Sequence, residues 1–275
     1  MPEGPEIRRA ADRIADVLVG PSLDNVWFAF ARLEPFVPEL SGARVTAIDT
    51  LGKAMLTRFD NDLTLYSHNQ LYGRWITCRR DDPPETNRSL RVALHTSTHS
   101  ALLYSASDVD VLDPEALARH PFIERAGPDV LDETLGIDDL VERLGSRAFR
   151  NRALGGTYLD QSFVAGIGNY LRSEILFCAG AHPADRPADL DAGALRALAR
   201  ETLRVSRRSY RSGGITVTSK IERSLRAAGQ KRSEYRFWIY GRDGKDCRRC
   251  DTQIERMDVA SRGLFYCPAC QPRRR

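Results

Sequence analysis

Long apolar runs, internal repeats and low-complexity tracts are missing from this chain. No stretch approaches the roughly 20 consecutive apolar residues that a membrane-spanning helix needs. The first residues carry no short apolar segment of the secretory-signal kind. The expectation is therefore a cytoplasmic protein with no membrane partner. Cysteine is scarce, with 6 in 275 residues. Four of these form two close pairs near the C-terminus, and Cys78 and Cys178 read as buried apolar residues. A disulfide framework is disfavoured in a reducing compartment. Charge of one sign is hardly in excess, since the formal net charge is only +4.

What is present fits a soluble chain long enough for two domains, with 42% hydrophobic and 28% charged residues. The charge is unevenly placed. Between Arg196 and Arg242 there are 13 Lys/Arg against 3 acids, so that stretch is net +10 and the remainder is net −6. Such asymmetry points to a polyanionic partner, most simply nucleic acid. Arg273–Arg275 add a short basic tail.

The first six residues, Met1-Pro2-Glu3-Gly4-Pro5-Glu6, hold the most reactive group. Removal of Met1 before the small Pro2 would free a secondary amine. An α-amino group titrates near ~8, roughly two units below lysine, so a useful fraction is unprotonated at neutral pH and can attack an electrophilic carbon. A secondary amine gives a charged iminium directly. Glu3 and Glu6 supply carboxylates for proton transfer or for stabilising a cation. Pro5 and Glu6 also suit the first turn of a helix.

Ile7, Ala10, Ala11, Ile14 and Leu18 then recur at helical spacing, and Gly20-Pro21 ends the helix. Seven alternating segments follow, at 23–30, 44–50, 54–59, 63–67, 75–78, 90–95 and 101–104. They predict a β-sandwich of seven or eight strands with one leading helix. Asn61-Asp62 marks a tight hairpin. Lys53 follows Gly52 at the entry to a strand. The loop His68–Gly73 exposes a leucine and a tyrosine, as binding loops often do. After Asp108 the pattern becomes mainly helical, with helix starts at 113–115 and 134–138. The segment 160–170 joins two helical patterns through two glycines, and backbone N–H groups there, with the Asn169 amide, suit a phosphate oxygen. Residues 195–205 form another amphipathic helix, and Ser212 to Glu234 reads as a long, basic, partly mobile loop.

Cys247-Arg248-Arg249-Cys250 and Cys267-Pro268-Ala269-Cys270 are two Cys-x-x-Cys knuckles with 16 residues between them. Four thiolates so placed suit one tetrahedral zinc. A closed shell of four cysteines leaves no open coordination position, so the zinc is structural and serves to hold residues 251–266, which carry Arg256 and Arg262.

Taken in order, the Met1–Glu6 start, the Gly52-Lys53 strand entry, the Gly166-Ile167-Gly168-Asn169-Tyr170 turn and the four-cysteine finger resemble the formamidopyrimidine-DNA glycosylase and endonuclease VIII family over almost the whole chain. The similarity is strongest to the endonuclease VIII branch, through 2–12, 24–30, 63–73, 103–108 and 127–131. The resemblance implies an α+β protein of two domains. The first is an N-terminal β-sandwich with a leading helix (1–122). The second is a helical helix-two-turn-helix domain with a basic loop (123–236), followed by a zinc finger (237–275).

It also implies a bifunctional DNA glycosylase and abasic-site lyase of base excision repair. Its substrate would be double-stranded DNA holding oxidised bases or abasic sites, bound by a monomer associated with the nucleoid. In the implied mechanism the Pro2 amine attacks C1′ of the damaged nucleotide and Glu3 acts as general acid/base. Lys53 assists the sugar oxygen during β-elimination, and Arg262 clamps a flanking phosphate for δ-elimination. Chemistry at C1′ needs the nucleotide out of the stack, at a cost of a few kcal/mol. Gln70, Leu71 and Tyr72 match the wedge that fills the hole, while Arg125 and Asn169 match backbone contacts.

Two other readings stay open. One is the formamidopyrimidine type acting on 8-oxoguanine, disfavoured because the three wedge residues sit together here. The other is a non-catalytic zinc-finger DNA-binding protein, disfavoured by the presence of Pro2, Glu3 and Lys53.

Overall fold

The computed structural model describes residues 2–274 and divides the chain into two compact units, Met1–Arg125 and Ala126–Arg275. Met1, with its expected removal, and Arg275 of the basic tail lie outside the described residues.

The first unit opens with helix α1, Gly4–Leu18. Its apolar residues, spaced three and four apart, bury Ile7, Ala10, Ala11, Ile14 and Leu18 on one face, while Arg8, Asp12 and Asp16 stay on the other. Each of the larger buried side chains contributes roughly 1.5–3 kcal/mol, so an aspartate at Ile14 would break the helix's attachment. Eight strands follow: β1 (Asn25–Phe28), β2 (Val45–Leu51), β3 (Ala54–Phe59), β4 (Thr64–His68), β5 (Arg74–Arg79), β6 (Leu90–His95), β7 (His99–Tyr104) and β8 (Asp108–Leu112). A short helix α2 (Val37–Leu40) lies between β1 and β2.

The strands form two antiparallel four-stranded sheets, in the orders β1-β6-β7-β5 and β2-β3-β4-β8. Their facing residues, among them Val26, Phe28, Ile48, Met55, Leu65, Leu94, Leu103 and Val109, share one core with α1. This is the expected sandwich with its leading helix. Strand β8 corrects the expected change of pattern after Asp108. Val109 and Val111 alternate with Asp108 and Asp110, and the strand pairs with β4 from His68↔Asp108 to Thr64↔Leu112. Asp is a poor strand former, and here sheet pairing outweighs it. Two short helices, α3 (Pro114–Ala118) and α4 (Pro121–Arg125), end the unit. Asp113 caps α3 by accepting from the Ala116 N–H at 2.8 Å.

The second unit is helical, with α5 (Ile137–Gly145), α6 (Leu154–Thr157), α7 (Asn169–Ala179), α8 (Ala192–Arg211), α9 (Ser219–Ala227), α10 (Arg232–Tyr235) and a hairpin of β9 (Glu255–Val259) and β10 (Arg262–Tyr266). Helix α7 is buried almost all round, while α8 lays its apolar face against α7 and α5. The expected loop 212–234 is corrected: it contains α9 and α10. Thr218 caps α9, accepting from the Ile221 N–H at 3.4 Å, and Glu222 pairs with Arg226 one turn on at 3.6 Å. No residue of α9 is fully buried, so periodicity was a weak signal there; Ile221 and Leu225 pack partly against the Phe177–Trp238 cluster.

Candidate active site

Helix α1 determines where the N-terminus sits. Its C-terminal end meets the start of β2, where Val19 bridges Val45 and the Gly20 N–H donates to Val45 O at 3.2 Å. Midway, Arg8 Nη2 reaches Ile48 O at 3.1 Å. Fifteen helical residues span about 22 Å, and the seven of β2 span about 20–23 Å. The helix therefore runs antiparallel along the strand and brings its N-terminus toward the Gly52-Lys53 turn that leads into β3.

At that N-terminus Glu3 is the N-cap residue, and its own N–H donates to Glu6 Oε2 at 3.1 Å. Pro2 immediately precedes it and is half-buried. Glu3 and Lys53 are only 4% and 8% exposed, unusual for charged side chains. Gly52 adopts φ 61°, a left-handed conformation that a side chain resists. Pro2 thus adjoins a carboxylate withdrawn from water, and removal of Met1 would place a secondary amine there, a setting suited to nucleophilic and acid/base chemistry.

Strand β4 leads from the sheet into the loop 69–73. Leu71 and Tyr72 are 51% and 68% exposed, two of the four large hydrophobic residues that face solvent among the described residues. The loop closes through the Gly73 N–H on Asn69 O at 2.7 Å, and a Cβ at Gly73 would lie 2.6 Å from that same oxygen. Only glycine fits there. Gln70 sits at φ 47° and is held twice: its N–H donates to His68 Nδ1 at 3.1 Å, and its side-chain oxygen accepts from the Ser107 hydroxyl at 3.0 Å. Arg88 Nη1 donates to Tyr72 O at 2.8 Å.

The His68 contact requires an unprotonated Nδ1. Burial pushes the His68 pKa below the ordinary histidine value, with Asp108 opposing and Lys53 reinforcing the shift, while the Phe122 ring packs on its edge. The unfolded chain binds this proton near pH ~6.5, above the folded value. The stabilisation from neutral His68 is therefore complete above that pH and is lost as pH falls through the depressed folded pKa. Protection factors of the amides in residues 69–73, corrected for the intrinsic pH dependence of exchange, should fall between neutral and mildly acidic pH, and His68→Asn should flatten that profile. A profile unchanged by the substitution would remove His68 from the loop's control.

In the second unit the Gly168-Asn169 start of α7 meets the hairpin β9–β10. The Asn169 amide donates to Gly263 O at 2.9 Å and its oxygen accepts from Arg172 Nη2 at 2.5 Å. Arg172 is fully buried, and its Nη1 also donates to Gly155 O at 2.8 Å. The turn Ala260-Ser261 has φ 52° and 59°, the double left-handed geometry of a tight two-residue hairpin, with exposed Arg262 following it. Glu174, also fully buried, accepts from the N–H groups of Trp238, Ile239 and Tyr240, each at 2.9 Å, and from the Thr216 hydroxyl. Burial pushes its pKa up against these four donors.

Arg172→Leu should cost about 2–4 kcal/mol, because several carbonyls lose their donor. It should also slow DNA cleavage at least tenfold while zinc stays bound. Thermal unfolding and metal content on the same preparation test this; unchanged cleavage would separate Arg172 from hairpin placement.

Cys247, Cys250, Cys267 and Cys270 converge with all four sulfurs within 4.8 Å of one another. The Sγ separations of 3.9 Å (247–270), 3.5 Å (250–267) and 3.4 Å (250–270) compare with the ~3.8 Å edge of a tetrahedron having ~2.3 Å Zn–S bonds. Hydrogen bonds from Thr252 bring the Cys250 thiol down to about 6, while burial pushes the Cys267 and Cys270 thiols up, so zinc binding must displace their protons. The set fits one structural zinc, as expected. A second group of possible ligands, Asp108, Asp110 and His120, lies in the first unit, but Arg32 already pairs with Asp110 at 2.8 Å.

Of the residues singled out in the sequence, Pro2, Glu3, Lys53, Gln70, Leu71, Tyr72 and Arg125 lie in the first unit, and Asn169, Arg262 and the four cysteines in the second. Arg125 ends α4 with its Nε on Pro121 O at 2.8 Å. His68, Ser107, Arg172 and Glu174 were missed. The last two carried one available signal, charged residues inside a helix whose other positions are largely apolar.

One unit is a β-sandwich with a leading N-terminal helix, and the other is a helical unit with a hairpin next to four convergent cysteines; these are the parts of a DNA-repair glycosylase. Profiles of the formamidopyrimidine-DNA glycosylase N-terminal domain, its H2TH domain, and the zinc finger found in FPG and IleRS match residues 1–110, 126–221 and 244–273. The chain is 48% identical over 271 residues to Endonuclease 8 of Escherichia coli and to that of Klebsiella pneumoniae, covering 98% of this chain and 100% of each relative. It belongs to the formamidopyrimidine-DNA glycosylase and endonuclease 8 family. Membership makes it a DNA glycosylase and abasic-site lyase of base excision repair. Among solved structures, the Lactococcus lactis formamidopyrimidine-DNA glycosylase bound to DNA containing an abasic site has the same fold. Its TM-score is 0.80 at 21% identity, covering 98% of this chain and 100% of that one.

Proposed function

We propose that this chain removes oxidised pyrimidines from double-stranded DNA through an iminium at Pro2, acting as a monomer. The single observation that carries the reading is the burial of Glu3 directly after Pro2 at the start of α1, with buried Lys53 at the turn toward which that helix points. The Pro2 nitrogen lone pair forms a bond to C1′ as the bond from C1′ to the base breaks. Glu3 exchanges the protons needed for base departure and opening of the sugar ring. With the iminium as electron sink, loss of a proton from C2′ expels the 3′ phosphate. A second elimination expels the 5′ phosphate and leaves a gap with phosphate at both ends. Lys53 assists the sugar oxygen, and Arg262 binds a flanking phosphate. Leu71 and Tyr72 replace the extruded base in the stack, Gln70 bonds its orphaned partner, and Arg125 and Asn169 hold backbone.

The grouping of the wedge residues 70–72 on one loop supports the pyrimidine assignment over 8-oxoguanine. Borohydride trapping on duplexes carrying thymine glycol or 8-oxoguanine opposite cytosine, with mapping of the cross-linked peptide, tests it. An adduct at Pro2 with thymine glycol is expected. Trapping mainly with 8-oxoguanine would move the substrate to the purine class. No adduct with either lesion or with a plain abasic site would leave a non-catalytic zinc-finger DNA binder.

A further inference from the structure

The basic excess of residues 196–242 is not absorbed by the groups described so far. Six of its arginines, Arg196, Arg200, Arg204, Arg207, Arg208 and Arg211, lie on α8. At 3.6 residues per turn they fall within an arc of about 120° and run for about 22 Å along the axis. The other side of α8 is apolar and buried through Leu198, Ala199 and Val205. Five of the six, all but Arg196, line a groove whose opposite wall is residues 133–137.

Carboxylates cancel only part of this charge. Arg196 pairs with Asp138 and Arg204 with Glu201, each at 2.6 Å. Asp132 feels Arg207, and Glu133 lines the groove. Arg207 and Arg208 instead donate to neutral backbone oxygens: Arg207 to Asp132 O and Leu135 O at 3.3 and 3.2 Å, and Arg208 to Thr216 O at 3.0 Å. Those bonds fix the guanidinium groups without neutralising them. Arg200 and Arg211 are exposed and stand at the two ends of the five that line the groove. A small anion has no use for a row of cations spread over about 22 Å of a helix, whereas a phosphodiester chain presents a succession of charges to match it.

We propose that this groove along α8 is a second nucleic-acid-binding surface that holds phosphodiester backbone, separate from the residues assigned to the lesion. The inference rests on the DNA-processing reading above. The bound backbone comes either from DNA flanking the lesion or from a separate DNA molecule.

The test is fluorescence anisotropy of the zinc-loaded full chain on abasic-analogue duplexes of two lengths across a salt series. The parent is compared with Arg200→Gln/Arg211→Gln and with the charge-keeping Arg200→Lys/Arg211→Lys. Loss of two phosphate contacts should lower the slope of log K against log salt by about 2 in the glutamine variant. The lysine variant should keep the parental slope, and cleavage at saturating enzyme should stay within about twofold of the parent in both. A slope reduced only on the long duplex assigns the groove to flanking DNA. Loss of a second binding event in a titration with excess duplex assigns it to a separate molecule. Equal slopes for the parent and the glutamine variant on both lengths would overturn the proposal while leaving lesion binding intact. A parent without salt dependence would overturn the DNA-processing reading as well.

Discussion

Replacing Pro2 with glycine is expected to abolish strand cleavage and borohydride trapping, by about a thousandfold or more, while DNA affinity changes only a few-fold. The asymmetry follows from what the residue does. Phosphate contacts supply most of the affinity for DNA, and Pro2 offers none. In the proposed mechanism its nitrogen instead divides one difficult displacement into easier covalent steps. A secondary amine forms a permanently cationic iminium, which drains electrons from the sugar during both eliminations. Glycine leaves a primary amine without the ring that fixes it against the first turn of α1. Single-turnover cleavage of an abasic duplex, measured beside equilibrium binding, separates the two effects. Cleavage at the parental rate would take Pro2 out of the mechanism, and a parallel loss of binding would show that the substitution had disturbed the helix start.

Zinc removal carries the second large effect. Cys267→Ser is expected to yield protein without zinc, to cut DNA cleavage at least a hundredfold and to lower thermal stability sharply. In zinc-finger peptides a structural zinc contributes about 10–16 kcal/mol. In this chain the metal also secures a cluster: Cys247 and Cys267 pack with Phe177, Ile215, Trp238, Ile239 and Ile254. Losing the ion leaves four thiols to repel or oxidise at the centre of that cluster. The hairpin that presents Arg262 would then depend on Asn169, Arg172, its own ladder and the packing of Leu264 in the helical core. Metal analysis and cleavage assays on one preparation decide the matter; full activity in verified metal-free protein would show that the hairpin needs no zinc.

The chemistry was legible in the sequence because it depends on local covalent facts. Removal of Met1 would make Pro2 a secondary amine however the chain folds, and two Cys-x-x-Cys turns each bring two sulfurs together through local spacing alone. The sandwich was legible for a similar reason, since β3 and β4 are short segments rich in apolar residues and Asn61-Asp62 closes the hairpin between them. Strand β8 was not, because its two aspartates disfavour a strand until β4 supplies a partner. Helices α9 and α10 were not, because their basic residues bury little and they draw stability from a cap, one ion pair, the buried Tyr235 and partial packing of Ile221 and Leu225 on the same cluster.

By itself the sequence pointed to Pro2 as the candidate nucleophile and determined the four-cysteine set, the exposed Leu71-Tyr72 loop and the excess of basic charge, all properties of residue type and short spacing. Only the tertiary structure decided that Glu3 and Lys53 would be withdrawn from water, that His68 and Ser107 would hold Gln70, and that Arg172 would join α7 to the zinc hairpin. It alone put six arginines on one face of α8 beside a groove. Burial and hydrogen bonding between residues tens of positions apart exist only once sheets and helices have packed, so no local pattern could encode them.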